Sequence, residues 1–501
     1  MATIAEGPVK PAPPAPPEAA TQTPPPGISE DWLAVCIGLF VFLLSLGLLF
    51  GKDILGWAVT TSVWTTPAKA LAPASKSFST LSPWLSLLGT FFFLLVVMSI
   101  GAKALRADLK RFVAGFTAVF AVSYLCWFLG SWAYIAATPD KRAGLKIAWS
   151  LNLTNESGFI IALVAGLIVG NFLPAFARFL KEAIRPELYI KTAIVIIGGS
   201  LGIAALENRA LATSVIFRGA CAIVEAYLIY WPIVYFVSRR WFGFSREWAA
   251  PLASGISICG VSAAIATGSA IKARPVVPIM VSSLVVIFAV VELLFLPFVA
   301  QHYLYHQPLV AGAWMGLAVK TDGAAVASGA ITDSLVRAKA LAATGVAYQS
   351  GWIMNVTATV KVFIDIFIGL WAFVLAWVWA AKIEPRQGEK VRAVQIWQRF
   401  PKFILGYIAT FAIVLIVGAL SPALAAKVKA SMGQANVFRV MFFVMTFFAI
   451  GVLSNFRKLW QEGIAKLAAV YVLCLFGYII WVGLLISWLF FHGVLPPLAK
   501  G

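Results

Sequence analysis

From Pro83 to Ala102 the chain reads PWLSLLGTFFFLLVVMSIGA, twenty consecutive residues without a charge. The hydrocarbon core of a bilayer is about 30 Å thick and each helical residue rises about 1.5 Å, so about 20 apolar residues suffice to cross it. The run from Phe91 to Val97, FFFLLVV, does not alternate apolar with polar residues as a membrane barrel strand must. This stretch is therefore read as a transmembrane helix.

Working outward, similar runs recur near 32–50, 83–102, 113–136, 158–176, 189–206, 213–237, 250–271, 276–300, 310–331, 350–380, 403–422, 437–455 and 465–491. They predict an all-α polytopic membrane protein with about thirteen spans. The composition agrees. Apolar residues make up 61% and charged residues 12%, against roughly 45–50% and about 25% in a soluble domain.

The formal charge of +19 sits in short clusters between spans, such as Lys103, Arg106, Lys110 and Arg111, or Arg239, Arg240 and Arg246. Loops facing anionic lipid explain this better than nucleic acid does. Basic residues are more numerous in the loops on the N-terminal side, which predicts a cytoplasmic N-terminus and a multi-pass protein of the bacterial inner membrane. The basic stretches 103–112 and 177–187 are read as interfacial connectors.

Residues 1–30 contain nine prolines and predict a disordered tail. Residues 31–150 hold extra N-terminal helices, and 151–491 a transporter core. A basic loop at 381–402 carries Lys382, Arg386, Lys390, Arg392, Arg399 and Lys402, and is expected at the cytoplasmic face. The five cysteines, Cys36, Cys126, Cys221, Cys259 and Cys474, lie inside apolar runs and form no C-x-x-C pair, so buried thiols are expected.

Two segments differ from ordinary spans. Residues 251–270 read PLASGISICGVSAAIATGSA and 311–330 read AGAWMGLAVKTDGAAVASGA, each with twelve of twenty residues Gly, Ala or Ser. Small residues let backbones approach closely, so tight helix packing is one reading. The other is a pair of discontinuous helices, whose exposed amide N–H groups at a half-helix N-terminus bind an anion. Ser257, Cys259, Gly260 and Ser262 would line the first break.

Charges at membrane depth are costly and survive where they face protein or water. Lys320 and Asp322 fall in the second small-residue segment. Lys361 and Asp365, four residues apart, share a helical face. They read either as a self-neutralising pair or as an anion site at Lys320 and Lys361 with proton coupling at Asp322 or Asp365. Arg218, Glu225 and Glu292 are read as structural. Gly166-x-x-x-Gly170 and Gly198-x-x-x-Gly202 are read as helix contacts.

Neither a phosphate-binding G-x-x-x-x-G-K-[ST] loop nor an H-E-x-x-H motif occurs, so no enzymatic activity, cofactor or metal is expected. His302 and His306 sit in QHYLYHQP, which reads as an interfacial loop rather than a metal site.

The stretches GFIIALVAGLIVGN (158–171), IKTAIVIIGGSLGI (190–203), SGISICGVSAAIA (254–266) and GAWMGLAVKTDGAAVASGA (312–330) follow in order the pattern of the YeiH-type proteins. That family carries the name of sulfate exporters. VFRVMFFVMTFFAIGVLSNFRKLWQEG (437–463) resembles its penultimate span. The resemblance covers about 155–490. It implies a place among the relatives of sodium/proton antiporters and bile-acid symporters, with inverted repeats, crossing discontinuous helices and often a homodimer. Where the family has a His-Glu pair this chain has Lys320 and Thr321, with Asp322 next. Lys361 matches a family lysine, and Ile364 replaces an arginine.

The leading expectation is therefore alternating-access transport of a small oxyanion or sulfonate, bound by Ser257, Cys259, Gly260, Ser262, Lys320, Asp322 and Lys361. One alternative is a cation/proton antiporter using Asp322 and Asp365. Another is an accessory membrane subunit whose proline-rich tail docks a partner.

Overall fold

The structure is a computed structural model describing residues 28–499 apart from 138, 152, 154, 156, 275, 384–396, 398, 399 and 455–464. The proline-rich tail through residue 27 and most of the 381–402 loop lie outside the described residues.

Helix α1 (Glu30–Ser45) begins at Ser29, whose hydroxyl accepts the Trp32 N–H, and ends in a 3-10 turn, Leu46–Phe50. A small antiparallel pair follows, β1 (Val59–Thr61) and β2 (Leu71–Pro73), with Thr60 opposite Ala72. Helices α2 (Pro83–Ala104) and α3 (Leu109–Gly130) come next. The basic 103–112 stretch is not an interfacial helix. It forms the end of α2, a turn with Arg106 at φ 59°, and the start of α3, where Asp108 caps the Arg111 N–H. The left-handed turn at Arg106 ends one helix and the acidic N-cap at Asp108 starts the next.

Helix α4 (Ser157–Phe172) turns by 114° into the short helix Pro174–Leu180. Helices α5 (Pro186–Glu207) and α6 (Arg209–Trp241) are joined at Asn208, which caps the Leu211 N–H. Then come α7 (Arg246–Ser257), α8 (Gly260–Ala270), α9 (Val276–Tyr303), α10 (Pro308–Ala318), α11 (Asp322–Thr344) and α12 (Trp352–Ile383). The chain closes with α13 (Phe403–Leu420), α14 (Pro422–Leu453) and α15 (Ala465–Phe491).

Among the described residues ten helices are long and apolar enough to cross a membrane, or eleven if the bent pair at Pro174 is one span. The two remaining expected spans, 250–271 and 310–331, are the broken pairs α7–α8 and α10–α11. His302 lies in the last turn of α9 and His306 beyond it, and both are exposed.

The main apolar core runs from Leu33 to Phe491, so α1 to α3 are built into the same bundle as the rest, and a small second cluster joins Ala250, Ile271, Leu375 and Trp379. Glycines set its closest contacts. A Cβ on Gly166 would lie 2.2 Å from the Phe448 carbonyl and one on Gly198 2.1 Å from that of Tyr407, so α4 meets α14, and α5 meets α13, backbone to backbone. Gly170 and Gly202 repeat these contacts one turn on. The two G-x-x-x-G pairs are helix contacts, as their spacing suggests.

Candidate functional site

Each small-residue segment doubles back on itself. In the first, Thr267 Oγ1 donates to Ser254 Oγ at 2.7 Å, and Arg274 N–H reaches Glu247 Oε1 at 2.7 Å. Residues 27 positions apart would be about 40 Å apart along a straight helix. Thus α7 and α8 are antiparallel arms of a re-entrant hairpin, with Ile258 and Cys259 at its tip. Gly255 lies against Ala264 of the other arm, and its missing Cβ leaves room for Val281 of α9, whose Cγ1 it would approach to 2.8 Å.

The second segment does the same from the opposite face. Gly312 packs on Ile353, and Gly316 on Thr357 and Val360, so α10 runs parallel to α12. On the return arm Asp333 accepts the Gly351 N–H at 3.0 Å and the Ile353 N–H at 3.1 Å, while Gly329 packs on Thr357. Therefore α11 runs antiparallel to α12. Val319 and Thr321 are extended at this tip, and the Thr321 hydroxyl caps α11 by accepting the Ala324 N–H at 3.2 Å.

The breaks thus fall where the small residues place them, but the crossing discontinuous spans implied by the resemblance are instead two hairpins that meet tip to tip. Gly260 N–H donates to the Lys320 carbonyl at 2.6 Å.

The first tip, the start of α11 and the middle of α12 enclose a buried ionic cluster. Lys361 Nζ donates to the Ile258 carbonyl at 2.8 Å and lies 3.6 Å from Asp322 Oδ1. Cys259 Sγ donates to the same carboxylate oxygen at 2.8 Å. Asp365 follows Lys361 by one helical turn, and one side-chain ligand atom from each of Cys259, Asp322 and Asp365 lies within 4.8 Å of the others. Lys361 is 2% exposed and both aspartates 1%. Asp322 Oδ2, Asp365 Oδ1 and Ser257 Oγ are buried without a hydrogen-bond partner. One ammonium within the cluster thus faces two carboxylates, and the charge of Lys191 reaches both from α5.

Of the expected site residues, Cys259, Asp322, Lys361 and Asp365 converge, and Ser257 lies buried at the end of α7 beside them. Gly260 spends its N–H on the other hairpin. Ser262 is half-buried at the start of α8, with no hydrogen bond described for its side chain. Lys320 departs from the expected grouping with Lys361. Its ammonium lies 4.5 Å over the Tyr230 ring and donates to the Leu317 carbonyl, on the side of the tip facing α6 and α15.

Two acidic partners of that lysine, Glu225 and Glu292, are residues the sequence suggests as structural. Glu292 Oε2 accepts the Lys320 N–H at 3.3 Å and its Oε1 accepts the Tyr471 hydroxyl at 2.9 Å. Glu225 starts a π turn, Glu225–Tyr230. Both carboxylates are intramembrane charges, which was the available signal. Arg218, in contrast, donates to Ser214 Oγ and the Phe490 carbonyl near the helix end, as a snorkelling side chain does.

A cavity of about 370 Å³ opens at the face where α12 begins. Its lining includes Glu207, Asp333, Arg337, Met354, Asn355 and Lys429. Ion pairs hold its rim, Arg337 with Asp333 at 2.8 Å and Lys429 with Glu207 at 2.5 Å. Lys361 follows Met354 by seven residues, hence on the same face of α12 and about 10 Å deeper. At the opposite end of α5, Lys191 pairs with Asp31 at 2.8 Å and Glu187 at 3.3 Å, and Arg185 with Glu30 at 2.6 Å.

These features define a polytopic α-helical membrane protein organised around two opposed re-entrant hairpins and a buried carboxylate–lysine cluster. The chain belongs to the family described as conserved hypothetical protein 698, whose pattern matches residues 142–470. It is 41% identical over 473 residues to UPF0324 membrane protein NE0724 of Nitrosomonas europaea, covering 94% of this chain and 97% of that one. An uncharacterized protein of Archaeoglobus fulgidus is 49% identical over 164 residues, 29% of this chain and 88% of its own length. A UPF0324 membrane protein of Nitratidesulfovibrio vulgaris is 29% identical over 383 residues, 74% of this chain and 57% of that one. No solved structure matches the chain.

Proposed function

We propose that the protein is a secondary active transporter of the bacterial inner membrane that moves a small anion by alternating access, coupled to protons at Asp322 and Asp365. The observation that carries this reading is the shared ammonium, Lys361 at 3.6 Å from Asp322 with Asp365 one turn away, where the two hairpin tips meet.

The chemistry follows from charge balance. With both aspartates ionised, the cluster holds two negative charges and one positive, and an incoming anion is repelled. Protonating both leaves Lys361 as an uncompensated cation in a medium where isolated charge is strongly disfavoured. An anion is then attracted, and Ser257 Oγ and the start of α8 offer it hydrogen bonds. Protons and anion therefore bind together, which is symport, and net flux follows the summed gradients. The resemblance to the sulfate-exporter family supplies sulfate or a sulfonate as the first anions to test.

The same carboxylates support a second reading, cation/proton exchange, because ligand atoms of Cys259, Asp322 and Asp365 within 4.8 Å of one another are close enough to share one cation. Proteoliposomes separate the two. Symport predicts accumulation of labelled sulfate or taurine driven by an acidic exterior, abolished by Lys361→Met and by Asp322→Asn. A pH-sensitive dye in the lumen that responds to sodium or potassium gradients, with no anion uptake at any pH, would replace the anion reading with cation exchange.

A further inference from the structure

On the α6 side of the second tip lies a set of buried ionisable groups that the coupling cluster does not use. Glu225 on α6 is 0% exposed, Glu292 on α9 1%, and Lys320 at the tip 1%. The charge of Lys320 acts on both carboxylates. The other titratable groups facing Glu225 are Cys221 and Tyr230 on α6 and Tyr478 on α15. Those facing Glu292 are Tyr471 on α15 and, farther off, Lys361 on α12.

Two carboxylates and one ammonium leave a net charge of −1, which a buried, weakly polar surrounding disfavours. Holding one proton makes the set neutral. The hydrogen bonds decide where that proton sits. Glu292 accepts from the Tyr471 hydroxyl at 2.9 Å and from the Lys320 N–H at 3.3 Å, both of which favour its ionised form. Glu225 accepts nothing, and both its oxygens are buried without a partner. The nearest hydroxyl, that of Tyr230, is committed to the Ile479 carbonyl at 2.8 Å. Gly483 on α15 keeps space open beside the carboxyl, since a Cβ there would lie 3.5 Å from Glu225 Oε1 and 2.9 Å from the Tyr230 hydroxyl.

We propose that Glu225 is a proton-binding site, occupied as a neutral carboxylic acid beside Lys320 and Glu292. The proton comes from water and no other bond changes. When it leaves, the Glu225 carboxylate attracts the Lys320 ammonium that already lies over Tyr230 and holds the second hairpin tip against α6. Its return releases the tip. The second hairpin is thereby flanked by two proton sites, Glu225 on one side and Asp322 with Asp365 on the other.

Infrared spectroscopy of the full-length protein in lipid tests it, because the C=O stretch of a protonated carboxyl lies apart from the amide bands. Difference spectra against the parent should show loss of one such band in Glu225→Gln. The same band should vanish in Glu292→Gln, where Glu225 must ionise to balance Lys320. A further band should appear in Lys320→Met, where both acids become neutral. By the same charge balance the band is lost in either Gln variant whichever acid holds the proton, so Glu225→Asp and Glu292→Asp decide: the band should change frequency in Glu225→Asp and stay in place in Glu292→Asp. The reverse pattern, or no added band in Lys320→Met, overturns the proposal.

Discussion

Replacing Lys361 with methionine keeps most of the side-chain volume and removes its charge, so the variant isolates what the ammonium does. At 3.6 Å from Asp322 Oδ1 the attraction amounts to about 4–5 kcal/mol for an effective dielectric of about 20. Breaking a buried pair by deleting one partner costs about 3–5 kcal/mol, since the remaining charge is stranded. The Ile258 carbonyl also loses its donor. Lys361→Met should therefore lose about 3–5 kcal/mol of stability at neutral pH. The double variant Lys361→Met with Asp322→Asn should recover part of it, because one of the two stranded carboxylates goes too. Unfolding of the purified protein in mixed micelles by added SDS, followed by the emission of its 19 tryptophans, measures both. A single variant as stable as the parent, or a deficit that the second substitution does not reduce, would refute the ionic reading and leave packing alone.

Other outcomes follow from the same coordinates. Cysteines placed at Glu247→Cys and Arg274→Cys in a background lacking native cysteines should join into a disulfide on mild oxidation, seen by mass spectrometry; a straight span would hold them far apart. Asp333→Ala removes the acceptor for the Gly351 and Ile353 N–H groups and the partner of Arg337, and should cost about 2–3 kcal/mol in the same micelle assay. Gly166→Ala places a methyl group 2.2 Å from the Phe448 carbonyl, so α4 and α14 must separate, with a loss of about 1–3 kcal/mol.

Much of this molecule is legible in its sequence because the bilayer imposes length and polarity on every span. The runs at 83–102 and 189–206 fall within α2 and α5, and the small-residue segments mark the two breaks. Lys361 and Asp365 share a face because four residues make about one turn. The reversal at Ile258 and Cys259 was hidden, since a break in helical pattern says nothing about the direction in which the chain continues. The separation of Lys320 from Lys361 was hidden for a related reason. Proximity in sequence to Asp322 does not fix which side of an extended tip a side chain takes. Glu225 and Glu292 were visible as charges at membrane depth, yet 67 positions separate them, and it is the fold around Lys320 that makes them one site. The carboxylate of Asp31, at the start of a helix outside the resemblance, meets Lys191 through tertiary packing alone.

The cavity above α12 places water, and with it the electrical potential of that face, within about 10 Å of Lys361. On the transport reading proposed above, the transmembrane voltage would fall between the floor of this cavity and the opposite face, a shorter path than the whole bilayer. Moving one elementary charge through the full drop is worth about 2.3 kcal/mol per 100 mV. Any charge carried past the Gly260–Lys320 contact would cross its share of that field in a shorter step than in a bilayer of full thickness.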